Sequence, residues 1–210
     1  IPINEKRFVI SAAFPDPGLP FLMLLDSNMA KSGIISGQDF TSISKNRKVI
    51  HTEVSPPLDS IIYWFLKKSI NLYGEALIKT IAYQKEGKGS TDIGIESVKE
   101  LWKERGIAKT ELNIVDGSGL SPLNRVTTHA QVLILQYAKK QPWFTSFYYG
   151  LPEYNGMKLK SGTISGVKGF AGFHTSKNGE EYIISFLVNN YNGSASAVVQ
   201  KMYKVLDVLK

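Results

Sequence analysis

The chain has 210 residues, enough for one substantial core with a small appended piece. Apolar residues at 43% and charged residues at 20% describe an ordinary globular composition, and no apolar run approaches the roughly 20 residues of a membrane span. Twenty-five basic against 18 acidic residues give +7, but the charges are scattered without an aromatic-interleaved basic stripe, which argues against nucleic acid; the lack of cysteine excludes disulfides, Cys-ligated metals and thiol catalysis.

The chain opens on "IPINEKR", without an initiator methionine or signal peptide, and is expected to be a mature or trimmed product. "RFVISAAF" reads as a strand and "PDPG" as a turn whose prolines suit a helix start. "LPFLMLLDSNMAKSG" is a helix stopping at Gly33, and "DFTSISKNRKVIHTEV" is strand-like around Phe40, Ile43, Val49 and Ile50. After "SPPL", helical spacing runs twice, through Ile61, Ile62, Phe65 and Leu66 and then Leu72, Ala76, Leu77 and Ile81, with the polar interruption "KKSIN" between.

A further helix follows "GKGS", capped by Ser90 or Thr91 and ended by Gly106. "ELNIVDGSGLSPLN" is a short strand entering a small-residue loop, and "TTHAQVLILQYAKK" is a helix with a threonine cap. "GMKLKSGT", "VKGFAGFHT" and "EYIISFLVNN" are three strands, the last two joined by an Asn-Gly turn in "KNGE". "SASAVVQKMYKVLDVLK" closes the chain as a helix with Val198, Met202, Val205 and Leu209 on one face. A helical cluster followed by an antiparallel sheet and a C-terminal helix predicts an α+β fold.

Short patterns recur, and context sorts them. Lys-Ser-Gly occurs at Lys31, where a helix end explains it, and at Lys160, inside a strand. There Lys160-Ser161-Gly162-Thr163 either presents a fixed ammonium beside two hydroxyls or is a solvent-facing edge strand. Ser69-Ile70-Asn71 is either a kink with a capping serine or a hydroxyl and amide aimed into a cleft. Ser44-Lys45-Asn46 and Ser176-Lys177-Asn178 are a polar strand patch and a turn. Asp116 to Ser121 is a rigid loop. His51, His129 and His174 lack metal-ligand spacing and read as surface or satisfied interior residues.

Taken in order, "SPPLDSIIYWFLKKSINLYGEALIKT", "DGSGLSPLNRVT", "KLKSGTISGVKGFAGF" and "FLVNNYN" with the terminal helix resemble the D-alanyl-D-alanine carboxypeptidase/endopeptidase branch of the penicillin-binding proteins, the class C, low-molecular-mass type. The resemblance is strong over 55–210 and looser over 8–54. It implies the penicillin-binding-protein/serine β-lactamase-like transpeptidase fold and a serine acyl-transferase working without cofactor or metal. Carried over, Ser69 and Asn71 are the proton-relaying and substrate-orienting pair, Lys160 grips a terminal carboxylate, and Ser161, Gly162 and Thr163 line that subsite. The implied partners are peptidoglycan stem peptides and β-lactam antibiotics, in the periplasm or cell envelope.

The family's nucleophilic Ser-x-x-Lys belongs far upstream of Ser-x-Asn, whereas 68 residues precede Ser69. Ser42/Lys45 lies in a strand-like run, where residues three apart point to opposite faces. Ser165/Lys168 lies in the turn just after the strand motif. The expectation is therefore that the nucleophile lies outside this chain and the N-terminal part of the fold is missing. Residues 1–54 would then be the end of an inserted accessory region and its return, and 55–210 the C-terminal part of the transpeptidase-like domain, with its own missing N-terminal segment as an expected partner. The competing expectation is a non-catalytic peptidoglycan-binding or scaffolding module on a degenerate fold.

Overall fold

The computed structural model describes residues 18–33, 52 and 54–210. The expected strands at "RFVISAAF" and around Phe40 to Ile50, the "PDPG" turn, Ser42/Lys45, Ser44 to Asn46 and His51 lie outside the described residues. The chain divides into two units, 1–53 and 54–210.

In the first unit, α1 (Gly18–Lys31) ends as expected, with Gly33 at φ 73° and its N–H bonded to the Ala30 carbonyl at 3.0 Å. Lys31-Ser32-Gly33 is thus a helix terminus.

The second unit begins with α2 (Leu58–Lys68) and α3 (Asn71–Glu86), split at the polar interruption. Then comes α4 (Thr91–Lys103), whose Ser90 cap accepts the Ile93 N–H at 3.5 Å. A two-residue hairpin follows, β1 (Leu112–Asn113) with β2 (Arg125–Val126), holding the 114–124 loop between its strands. Helix α5 (Thr128–Lys139) is capped by Thr127, whose hydroxyl accepts the Ala130 N–H at 3.0 Å. Helix α6 (Phe144–Gly150) and strand β3 (Glu153–Tyr154) were not expected from sequence.

The antiparallel sheet β3-β4-β5-β6 is completed by β4 (Met157–Ile164), β5 (Val167–Thr175) and β6 (Glu181–Asn189). The β5–β6 connection is the expected Asn-Gly hairpin turn. Gly179 N–H bonds to the Ser176 carbonyl at 3.0 Å, Ser176 N–H to the Glu180 carbonyl at 2.8 Å, and only Gly179 has positive φ, at 82°. This is a type I turn closed by a left-handed glycine, the three-residue form. Helix α7 (Ala195–Leu206) closes the unit.

Alternation along the strands gives the sheet two faces. Met157, Leu159, Phe170 and Ile184 pack on Val198, Met202 and Leu206 of α7. On the other face Phe173 packs with Leu135 of α5 and Leu151, joined by Phe144, Phe147 and Tyr148 of α6. A third cluster, Ile107, Leu112 and Ala130, consolidates the helical side. Helices therefore cover both faces of the sheet, and β4 passes beside the α2–α3 junction.

Candidate active site

The break between α2 and α3 is a tight corner. Ser69 sits at φ 53° and ψ 51°, in the left-handed region that a side chain rarely occupies. Ile70 is extended, and Asn71 starts α3 at an exposed position. Ile70 makes no side-chain cap at the head of α3, and the Ser69 hydroxyl points elsewhere: it accepts a hydrogen bond from Lys160 Nζ at 2.9 Å. Two motifs 91 residues apart thus meet across the two layers. The kink and the aimed hydroxyl, which sequence left as alternatives, are the same feature.

On β4, Lys160 is half-buried and also donates to the Ser161 carbonyl at 2.8 Å. Burial pushes its ammonium below its ordinary value, and the neighbouring Lys168 charge adds to this. Ser161 hydroxyl donates to the Tyr154 hydroxyl at 3.2 Å. Lys168, opposite Thr163 in the β4–β5 register, is buried; it donates to Thr163 Oγ1 at 2.7 Å and lies 4.9 Å over the Phe170 ring. Thr163 accepts from Lys168, so its own proton is free to be offered outward. Burial lowers the Lys168 ammonium as well.

Lys160, Ser161, Gly162 and Thr163 line a cleft of about 480 Å³ with the 116–119 loop, Asn124, Gln131 and apolar Ile78, Ile114 and Leu187. Ser69 and Asn71 do not line the cleft; Ser69 is joined to it through Lys160, and Asn71 follows at the adjoining corner. Gly162 would meet nothing within 4 Å if it carried a Cβ, so the strand is open beside it.

The loop opposite β4 is clamped twice. Asp116 accepts the Gly119 N–H at 2.6 Å, the Ser121 N–H at 2.7 Å and the Asn124 amide at 3.0 Å. Burial raises the Asp116 carboxyl, but hydrogen bonds from Asn124, Ser121 and Gly119 outweigh it and hold the group below its ordinary range. From α3, Glu75 Oε1 accepts the N–H groups of Gly117 at 3.0 Å and Ser118 at 2.9 Å. Gly74 and Gly117 touch backbone to backbone: a Cβ on Gly74 would lie 2.2 Å from the Gly117 carbonyl oxygen.

Lys168, Tyr154, Gly74 and Glu75 escaped the sequence reading. The only available signal was the glycine flank of Lys168 in "VKGF", where a lysine occupies a narrow strand position. Ser165 and Lys168 are not paired: Ser165 is exposed in the β4–β5 turn, while Lys168 reaches Thr163. Among the described residues no group of His, Asp or Glu could hold a metal ion. His129 Nδ1 lies 2.8 Å from Glu111 at the surface, and His174, expected to be satisfied, has a buried Nε2 without a hydrogen-bond partner. No helix of the described residues is long and apolar enough to cross a membrane.

The family match and the curated relatives place the chain among the low-molecular-mass penicillin-binding proteins of class C. The chain belongs to the D-Ala-D-Ala carboxypeptidase 3 (S13) family, whose model matches residues 1–209. It is 30% identical over 177 residues to a D-alanyl-D-alanine carboxypeptidase of Actinomadura sp. (strain R39), covering 74% of this chain and 33% of that protein. It is 26% identical over 164 residues to the D-alanyl-D-alanine carboxypeptidase DacB of Haemophilus influenzae, covering 69% and 34%. The chain therefore spans about a third of the length of these curated relatives. Its fold matches penicillin-binding protein 4 of Haemophilus influenzae in complex with a novel β-lactam, with TM-score 0.81 at 21% identity over 96% of this chain and 53% of that one. A penicillin G-acylated predatory endopeptidase of Bdellovibrio bacteriovorus gives TM-score 0.56 at 18% identity, over 94% and 60%.

Proposed function

We propose that this chain contributes the second and third motifs of a serine-type D-Ala-D-Ala carboxypeptidase/endopeptidase that trims peptidoglycan stem peptides in the periplasm or cell envelope and is acylated by β-lactams. The observation that carries the reading is the 2.9 Å hydrogen bond from Lys160 to Ser69 beside the β4 cleft. Lys160, with the Ser161 and Thr163 hydroxyls, receives the terminal carboxylate. Gly162 leaves room for the substrate backbone, and the Asn71 amide orients the peptide.

The attacking serine comes from a Ser-x-x-Lys outside these residues. Its oxygen adds to the carbonyl between the two D-alanines, and the tetrahedral adduct collapses to an ester. The departing D-Ala amine takes its proton by way of the Ser69 hydroxyl, and water then splits the ester and restores the serine. In a β-lactam the same attack opens the ring, and the amine cannot leave. Residues 1–54 are then the return from an accessory region, and 55–210 the C-terminal part of the transpeptidase-like domain.

Intact mass after incubation with a fluorescent penicillin tests this. The protein carrying its Ser-x-x-Lys should be labelled, the 210-residue chain alone should not, and Lys160→Ala in the longer protein should abolish labelling. Normal labelling of Lys160→Ala sinks the strand assignment. An adduct on this chain alone places the nucleophile within it, with Ser42 the first suspect. No labelling of the longer protein favours the non-catalytic peptidoglycan-binding module.

A further inference from the structure

A second concavity, away from β4, lies between the N-terminal half of α2 and α6. About 300 Å³ in volume, it is lined by Asp59, Ser60, Tyr63, Trp64, Thr145, Ser146 and Tyr149. Trp64 is 48% and Tyr149 67% exposed, unusual for two large aromatics lining one groove. Trp64 is held by an edge-to-face contact with Tyr63, ring centroids 5.2 Å apart, so its face is presented at little entropic cost. Around the aromatics stand a carboxylate and three hydroxyls, with Asp59 Oδ1 already accepting the Ser60 N–H at 2.7 Å.

Flat aromatic faces ringed by short hydrogen-bonding side chains match one ligand chemistry closely. The C–H face of a pyranose is weakly positive and apolar and stacks on the negative face of an indole or phenol. Its equatorial hydroxyls and acetamido groups reach sideways to carboxylates and hydroxyls. A protein partner would instead call for a broader apolar core than these two rings provide.

We infer that this groove is a glycan subsite that holds the amino-sugar backbone to which the stem peptide is attached; the inference rests on the peptidase reading above. Geometry supports it. An α-helix rises about 1.5 Å per residue, so Trp64 and Asp59 stand about 7 and 15 Å along α2 from Ser69. In a stem pentapeptide roughly four residues separate the sugar from the D-Ala–D-Ala bond, and extended they span about 13–14 Å. Along α2 the groove therefore lies about one extended stem peptide from the corner at Ser69, whose hydroxyl meets Lys160. Binding at the groove raises the effective concentration of the stem peptide at β4.

The test is titration of the 210-residue chain with chitotetraose, a β-1,4-linked N-acetylglucosamine oligomer lacking any peptide, followed by tryptophan fluorescence. The wild type should give a saturable change. Trp64→Ala and Tyr149→Ala should each weaken binding roughly tenfold or more, while Lys160→Ala leaves it intact. If Trp64→Ala loses its thermal transition, Tyr149→Ala, changed at a mostly exposed ring, decides. No saturable binding by the wild type, or binding that neither variant weakens, overturns the subsite. Glycan binding alongside absent penicillin labelling of the longer protein would remove the peptidase reading and leave a glycan-binding module; labelling without glycan binding removes only the groove.

Discussion

At Ser69 the backbone sits where a Cβ costs roughly 1–2 kcal/mol. Glycine would relieve that strain, so its absence has to be accounted for by the hydroxyl that meets Lys160. Ser69→Gly should therefore keep or raise the melting temperature while slowing β-lactam acylation of the longer protein; a destabilised variant would show the hydroxyl to be structural. Lys160 carries its own signature. Desolvation, then the charge of Lys168, lowers its folded pKa below the ordinary 10.5. Below that folded value the buried charge weakens the fold. As pH rises through the window up to 10.5 only the unfolded chain stays protonated, so this penalty is relieved and the group's contribution to stability grows. The carboxylate binding proposed for Lys160 should run the other way and fade over the same window. Lys168→Met removes the neighbouring charge, and should shift the alkaline loss of binding of an N-acetylated D-Ala–D-Ala peptide to higher pH in an NMR titration. An unshifted limb would mean that the two ammonium groups do not feel each other.

Between elements, the critical joint is α3 against the 116–121 loop. Gly74→Ala drives a methyl to within 2.2 Å of a carbonyl oxygen that is backbone and cannot step aside. The expected loss is about 3 kcal/mol, or a fall in melting temperature of several degrees. Glu75→Gln keeps an acceptor but removes its charge, and should cost about 1 kcal/mol in urea unfolding. What the sequence disclosed follows the same division. Periodicity and caps revealed α2 to α5, the three long strands and α7, because each has enough residues to declare its period. Helix α6 stayed hidden: "FTSFYYG" is aromatic-rich and only 7 residues long, and it is helical because Gly150 nests against Tyr63 and Leu66. Strands β2 and β3 have two residues each, too few for alternation. Ser69 and Lys160 were legible as motifs, but their meeting was not, since nothing local encodes a contact across 91 residues. Lys168 was read only as part of a Ser-x-x-Lys in the turn after β4, because sequence does not reveal that it lies in β5 on a covered face.

At the scale of the whole 54–210 unit, the sheet stands between two cores that share no side chains among the described residues. Phe170, 2% exposed and in ring contact with Tyr154 and Tyr203, anchors the α7 side. Phe170→Ala should remove about 3–5 kcal/mol in chemical denaturation. Its backbone still borders the cleft, so part of that loss should surface as a misplaced Lys160 as well as a softer fold.

The Lys160–Ser69 bond also dictates a sequence of events in time. The β4–β5–β6 meander and the α3–α4 pair are assembled from neighbours in the chain and close short loops, which form fast. The corner at Ser69 acquires its partner only when a segment 91 residues on has already been shaped into strand, so the bond closes late. Pulsed hydrogen exchange during refolding should find β5 amides protected before the Tyr73 amide, which bonds to the Ile70 carbonyl at 3.0 Å within that corner. A refolding chain would hence complete its sheet before Lys160 meets Ser69, and the subsite proposed above would be finished only with the final docking of the two layers.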